Sequence, residues 1–142
     1  MSNTQKYALT GLRISLGWLF LYAGISKIIN PDWSAAFYLT KASSFPDFYN
    51  WLASSTMLPI VNFINMWGLL LIGIALIVGI CVNYAAGGGI GFMVLYYFPI
   101  LAFPHVGEHS LLVDDHIIYA LALVVLIVFN AGNYYSLKSF KK

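Results

Sequence analysis

Charge is what this chain has least of. Asp, Glu, Lys and Arg make up 8% of its 142 residues, where soluble domains carry about 25%. So few charges cannot cover a water-facing surface. With 61% hydrophobic residues and a mean hydropathy of +0.81, lipid is the expected solvent. Cysteine is nearly missing too. Cys81 alone excludes an intramolecular disulfide and a CxxC pair, and with them dithiol redox chemistry inside the chain. No basic patch for nucleic acid exists either, because Lys6, Lys138, Lys141 and Lys142 put four of the seven Lys and Arg residues at the chain ends. The glycines from Gly87 to Gly91 lie inside an apolar run rather than after a strand, so they are not a phosphate loop. His105-x3-His109 has metal-ligand spacing only on a helix, and Pro104 and Gly107 favour a loop; no metal or haem site is expected.

What is present is a series of apolar stretches, about 7–29, 57–82, 85–103 and 113–134. The first would be about 34 Å long as a helix, enough to cross a hydrocarbon core of about 30 Å. It exceeds a signal-peptide core and lacks a small-x-small cleavage site, so it is read as an uncleaved span. Asn30-Pro31-Asp32 ends it, since proline forces the preceding residue out of helical geometry. Pro59 suits the first turn of the second stretch, and Pro99 is expected to kink the far end of the third. The fourth lacks length. Its unbroken apolar run, 117–129, must recruit Asp114-Asp115-His116 or the residues from Asn130 to Tyr135 to cross. Segment 31–56 is rich in aromatics with polar neighbours, the composition of a membrane boundary. It predicts two short interfacial helices broken at Phe45-Pro46. The fold expected is an all-α four-transmembrane-helix bundle forming a single domain, with short interfacial helices between spans one and two.

The terminal lysines and Arg13 place both ends on the cytoplasmic side by the positive-inside rule. Both longer loops then face outward. They carry Asp32, Lys41, Asp47, His105, Glu108, His109, Asp114, Asp115 and His116.

Arg13, Gly17, Phe20, Gly24 and Lys27, spaced 4, 3, 4 and 3, share one face of span one. Two readings stand for Arg13: a stem that snorkels to the headgroups, or a buried charge with a partner. Lys27 is either an interfacial anchor or a cation facing Asp114, Asp115 or a bound anion. Asn65, Gly68, Ile72, Ala75 and Gly79 form a second seam, in which Asn65 bonds another helix or a ligand. Asp114-Asp115-His116 is the strongest local cluster. Either acid can cap a helix, and imidazole exchanges protons near neutral pH. Consecutive helical side chains point about 100° apart, so at least one of the three should enter the bundle.

Leu12-Arg13-x3-Gly17-Trp18, Gly24-Ile25-Ser26-Lys27, Asn30-Pro31-x-Trp33-Ser34, Asn65-x-Trp67-Gly68 and Val113-Asp114-Asp115-His116 occur in that order. With them the chain resembles the DoxX/DoxD-like family of small four-helix membrane proteins of the prokaryotic cytoplasmic membrane. The DoxD members are membrane subunits of a thiosulfate:quinone oxidoreductase, with a DoxA partner that is separate or fused. The resemblance implies a quinone as electron acceptor and thiosulfate as an outer-face substrate, with a DoxA-like partner supplied as another protein. Under that reading Lys27 and His116 hold an anion, and Asp115 orients His116 and takes protons. Trp33 and Trp67 flank a quinone ring, while Asp114, Arg13 and Asn65 complete the substrate site. Other members of the wider family are accessory subunits, which gives the alternative of a noncatalytic anchor in a larger respiratory complex.

Overall fold

The computed structural model describes residues 1–99, 103–107 and 110–137. Helix α1 (Asn3–Ile28) starts at a reciprocal cap. Ser2 Oγ accepts from the Gln5 amide at 3.2 Å, and the Ser2 amide donates to Gln5 Oε1 at 2.7 Å. The helix stops just before Asn30-Pro31, with Lys27 in its last turn, where a cation favours the negative end of the dipole. Two short helices follow, α2 (Ala36–Leu39) and α3 (Pro46–Leu52). The break between them falls at Phe45, which adopts a left-handed φ of 54° ahead of Pro46, as the sequence predicts.

Helix α4 (Leu58–Val78) runs back along α1. Glycines set how closely they approach. A Cβ on Gly73 would lie 2.3 Å from the Leu21 amide nitrogen, and one on Gly24 would lie 2.6 Å from that of Leu70. Only residues without a side chain fit there. The expected face of α1 is inside: Arg13, Gly17, Phe20 and Gly24 are buried. The expected seam on α4 divides instead. Gly68 faces the Phe92 ring of the next helix, Gly79 faces Ser136 and Arg13, and Gly73 makes the α1 contact. Gly68 and Gly73 are five residues apart, which turns them about 140° from each other on the helix.

Gly79 (φ 80°) and Cys81 (φ 51°) turn the chain sharply into α5 (Val82–Tyr97). This helix ends two residues before Pro99, rather than continuing to 103 with a kink. A short hairpin follows. Strand β1 (His105–Gly107) pairs antiparallel with β2 (Ser110–Leu111), His105 opposite Leu111 and Gly107 opposite Ser110. Helix α6 (Asp115–Val128) then packs on α5 and reaches α1. It is shorter than the expected 113–134 because Asn130 turns left-handed (φ 48°). A 3-10 turn (Ala131–Asn133) brings the chain against the start of α1 and the end of α4, where the Leu137 amide donates to Val78 O at 3.1 Å. Glu108, His109, Lys138, Lys141 and Lys142 lie outside the described residues.

Phe20, Leu69, Leu76, Leu123 and Leu126 form the centre of the core. The outward faces are also apolar. Helices α1 and α4 are long and apolar enough to cross a membrane, and only 22% of the most apolar 18-residue window of α4 is buried. The central helix of a soluble protein would be mostly buried. The 16 residues of α5 and the 14 of α6 make helices of about 24 and 21 Å.

Segment 31–56 folds over one end of the bundle. Ala35, Leu39 and Tyr49 form a small buried cluster against Leu58, Val61 and Phe98. The Ala35 amide donates to Asn62 Oδ1 at 2.9 Å, and the Tyr49 hydroxyl donates to Leu95 O at 3.0 Å.

Candidate functional site

Beneath that segment lies a cavity of about 380 Å³, within the range of about 300–1,000 Å³ for small-molecule sites. Most of its wall is apolar. Leu39, Tyr49 and Leu52 form the roof, and residues of α4 and α5 form the sides. Each long helix contributes one polar side chain to its lining, Lys27 of α1, Asn65 of α4, Tyr96 of α5 and His116 of α6, and segment 31–56 adds Tyr38 and Tyr49. Trp33 adds an indole ring.

Geometry links these groups. His116 Nδ1 lies 2.6 Å from Asp114 Oδ2. Asp114 is also the N-cap of α6, its Oδ1 accepting from the Ile117 amide at 3.2 Å. One carboxylate therefore fixes both the helix start and the imidazole. A neutral imidazole held this way donates through Nδ1 and leaves Nε2 as an acceptor. The Tyr96 ring stands edge-on to His116, centroids 6.2 Å apart, and its hydroxyl donates to Asn65 Oδ1. The Asn65 amide nitrogen donates to Val61 O at 2.9 Å and has a second N–H for another acceptor. Lys27 Nζ donates to Ala23 O at 3.3 Å and sits 5.3 Å from the centre of the Trp33 ring.

Of the residues singled out from sequence, Lys27, Trp33, Asn65 and His116 line this cavity, and Asp114 touches it through His116. Two expectations are corrected. The acid that orients His116 is Asp114, not Asp115. Asp115 is exposed in the first turn of α6, turned away by the helical step of about 100°. Nor does Lys27 pair with an acid: among the described residues the one ion pair is His116–Asp114. A carbonyl one turn back and an indole face hold the ammonium instead.

Arg13 and Trp67 lie elsewhere. Arg13 is fully buried at the opposite end of α1. Its Nη1 donates to Ala131 O and Tyr134 O at 3.0 Å, and its Nη2 to Tyr135 O at 2.9 Å. The guanidinium thus gathers three carbonyls where α6 has ended. Trp67 is half-exposed against Phe63, ring centroids 6.3 Å apart. Sequence reasoning missed Tyr96 and Phe92. They are one turn apart on α5, but nothing in the sequence separates them from the many other aromatics.

Outward apolar helices around an inward cluster of polar groups define a membrane protein with an internal, mostly apolar cavity. The model of the family described as DoxX matches residues 8–101, more than half of the chain, and the protein belongs to that family. The match includes Lys27, Trp33, Asn65 and Tyr96 and stops before Asp114 and His116. No curated protein and no solved structure matches the chain.

Proposed function

We propose that this protein is a four-span subunit of a quinone-linked oxidoreductase in a prokaryotic cytoplasmic membrane, and that the cavity under segment 31–56 receives the quinone ring. The observation that carries this reading is the convergence of Lys27, Asn65, Tyr96 and His116 on one mostly apolar cavity. The size and donor set fit such a ring. An apolar wall suits its faces, and Lys27 Nζ and the free N–H of Asn65 suit its carbonyl oxygens. A bound quinone supplies the chemistry, taking up two electrons and two protons. The chain's own residues position and move protons. His116 carries a proton between the cavity and Asp114, and Asp114 stabilises the imidazolium whenever it forms. Tyr96 and Asn65 hold each other in place and hold the ring's edge. Trp33 covers a face of the ring and keeps water out.

The resemblance of the sequence motifs to DoxD suggests the electron source. Coupling two thiosulfates to tetrathionate releases two electrons, matching one quinone, with a DoxA-like partner at the outer face. In this arrangement the termini are cytoplasmic and the 31–56 segment is outside. Trp18 and Tyr22 on α1, and Phe63 and Trp67 on α4, are exposed pairs at i,i+4 spacing. They support a second reading, in which the subunit docks in a larger respiratory complex as a noncatalytic anchor.

The test is tryptophan quenching by a short-chain quinone added to purified protein. Saturable quenching is expected, much reduced in Trp33→Phe. His116→Ala and Lys27→Met should weaken binding by about tenfold each, or about 1.4 kcal/mol. Quenching that never saturates, or that ignores all three substitutions, removes the ring from this cavity.

A further inference from the structure

The cavity is roofed at one end and open on its flank. At the roof, Ala35, Leu39 and Tyr49 are buried, and the Tyr49 hydroxyl ties α3 to Leu95 O. On the flank, Ile60 and Ile64 of α4 and Leu95 of α5 line the cavity, yet they are 49%, 51% and 42% exposed. A side chain that both lines a cavity and faces outward stands at its rim; Tyr38 of segment 31–56, 42% exposed, meets the same test on the roof segment. Ile60 and Ile64 are one helical turn apart, and Leu95 stands on the neighbouring helix.

Glycine positions explain the gap. Farther along the pair, α4 and α5 touch. A Cβ on Gly68 would meet the Phe92 ring at 3.0 Å, and one on Gly88 would meet Ile72 at 3.3 Å. Nearer the roof the contact passes to whole side chains, with Tyr96 reaching across to Asn65. Whole side chains rather than glycines therefore stand between the two helices where the cavity lies. Phe92 on Gly68 forms its floor. The three rim residues on this flank are aliphatic, and both helices are apolar outside, so the gap opens toward hydrocarbon.

We infer that the ligand is a membrane amphiphile that enters sideways between α4 and α5. Its polar ring seats at Lys27, Asn65 and His116, and its isoprenoid chain leaves across Ile60, Ile64 and Leu95. The identity of the ring rests on the proposed function; the route and the chain are what is added. A charged or wholly polar ligand would find no partner at an aliphatic rim. A hydrocarbon chain lying there stays in the solvent it came from.

The test uses full-length protein in lipid nanodiscs and quinones sharing one ring, with no side chain, one isoprene unit or two. Affinities are compared at equal concentration within the lipid. At least tenfold tighter binding of the two-unit compound is expected. The double variant Ile64→Trp/Leu95→Trp fills the gap and should weaken every compound of the series, the two-unit one most, so that the gain is erased. Ile64→Ala/Leu95→Ala, which removes only rim surface, should reduce the gain without blocking entry. A two-unit quinone with a photoreactive diazirine on its first isoprene should label 57–67 and 92–97. Labelling of 31–56 instead, or tail-independent binding that the Trp pair does not change, overturns the lateral route while the quinone reading stands. If no quinone binds but a diazirine fatty alcohol labels 57–67 and is excluded by the Trp pair, the route stands and the quinone reading falls. If neither compound labels the seam, the route falls whatever binds elsewhere.

Discussion

Two side chains show how a charge is kept in an apolar bundle. Among the described residues Arg13 meets no acid; its fork goes to three carbonyls between Ala131 and Tyr135. Its role is to hold the end of the chain, so Arg13→Met should cost stability rather than ligand affinity. Ala131 O would keep the Tyr134 amide, but Tyr134 O and Tyr135 O would lose this donor, and each buried carbonyl left bare costs about 1–3 kcal/mol. Arg13→Lys keeps the charge but not the fork and should fall between. Thermal unfolding in detergent, with quinone affinity measured on the surviving folded fraction, separates the two effects. Asp114 and Asp115 make the opposite comparison, since they are adjacent and chemically alike. Asp114→Ala loses a cap, about 1 kcal/mol, and releases His116, so ligand affinity should drop with stability. Asp115→Asn should change neither by more than about 0.5 kcal/mol. Equal losses from both substitutions would mean that the contact at 2.6 Å between Asp114 and His116 has no functional weight.

Helix against helix, the glycine contacts decide the spacing. Gly73 meets the backbone of Leu21, which cannot rotate away, whereas Gly87 has nothing within 4 Å. Gly73→Ala should therefore destabilise by about 1–3 kcal/mol through overpacking. Gly87→Ala should be neutral or slightly stabilising, because alanine favours helix. Unfolding midpoints of the pair in one detergent check this, and a harmless Gly73→Ala would mean that α1 and α4 do not touch as described. The roof depends on a lighter contact. Burial raises the Tyr49 hydroxyl above its ordinary tyrosine range, so the folded state keeps a proton that the unfolded chain releases. The stabilisation is complete below the ordinary tyrosine pKa and is lost as pH rises through the folded value. Tyr49→Phe removes both the hydrogen bond, worth about 1 kcal/mol, and this alkaline sensitivity. Proteolysis within 31–56 as a function of pH reports both. An unchanged alkaline profile in Tyr49→Phe would leave the roof's stability to other contacts.

At the scale of the whole molecule, the start of α1, residues 131–137 and the α4–α5 turn gather at one end. Arg13, Ser136 and Gly79 meet there. Segment 31–56 and the cavity occupy the other end. The exposed Cys81 is therefore a native reporter of sidedness. In intact cells an impermeant maleimide should leave Cys81 unmodified and should label Asn50→Cys in a Cys81→Ser background. The reverse pattern would turn the protein over in the membrane and put the cavity on the cytoplasmic side.

The sequence alone determined the solvent of this protein, two of the places where helices break, and its family. Those follow from local composition: eight charged residues in a hundred, Asn30-Pro31, Phe45-Pro46, and motifs read in order. It also placed Lys27, Trp33, Asn65 and His116 among the residues worth testing. Which groups meet was decided by the tertiary structure. Asp114 rather than Asp115 holds His116, Trp33 rather than an acid faces Lys27, and Tyr96 reaches an Asn65 that lies 31 residues away. In water, an apolar stripe tells a helix which face to turn inward. In lipid both faces are apolar, so the pattern leaves helix rotation open. On α1 the small residues Gly17 and Gly24 already marked the inner face; elsewhere the contact at Gly73 and the left-handed residues at Gly79, Cys81 and Asn130 fix it.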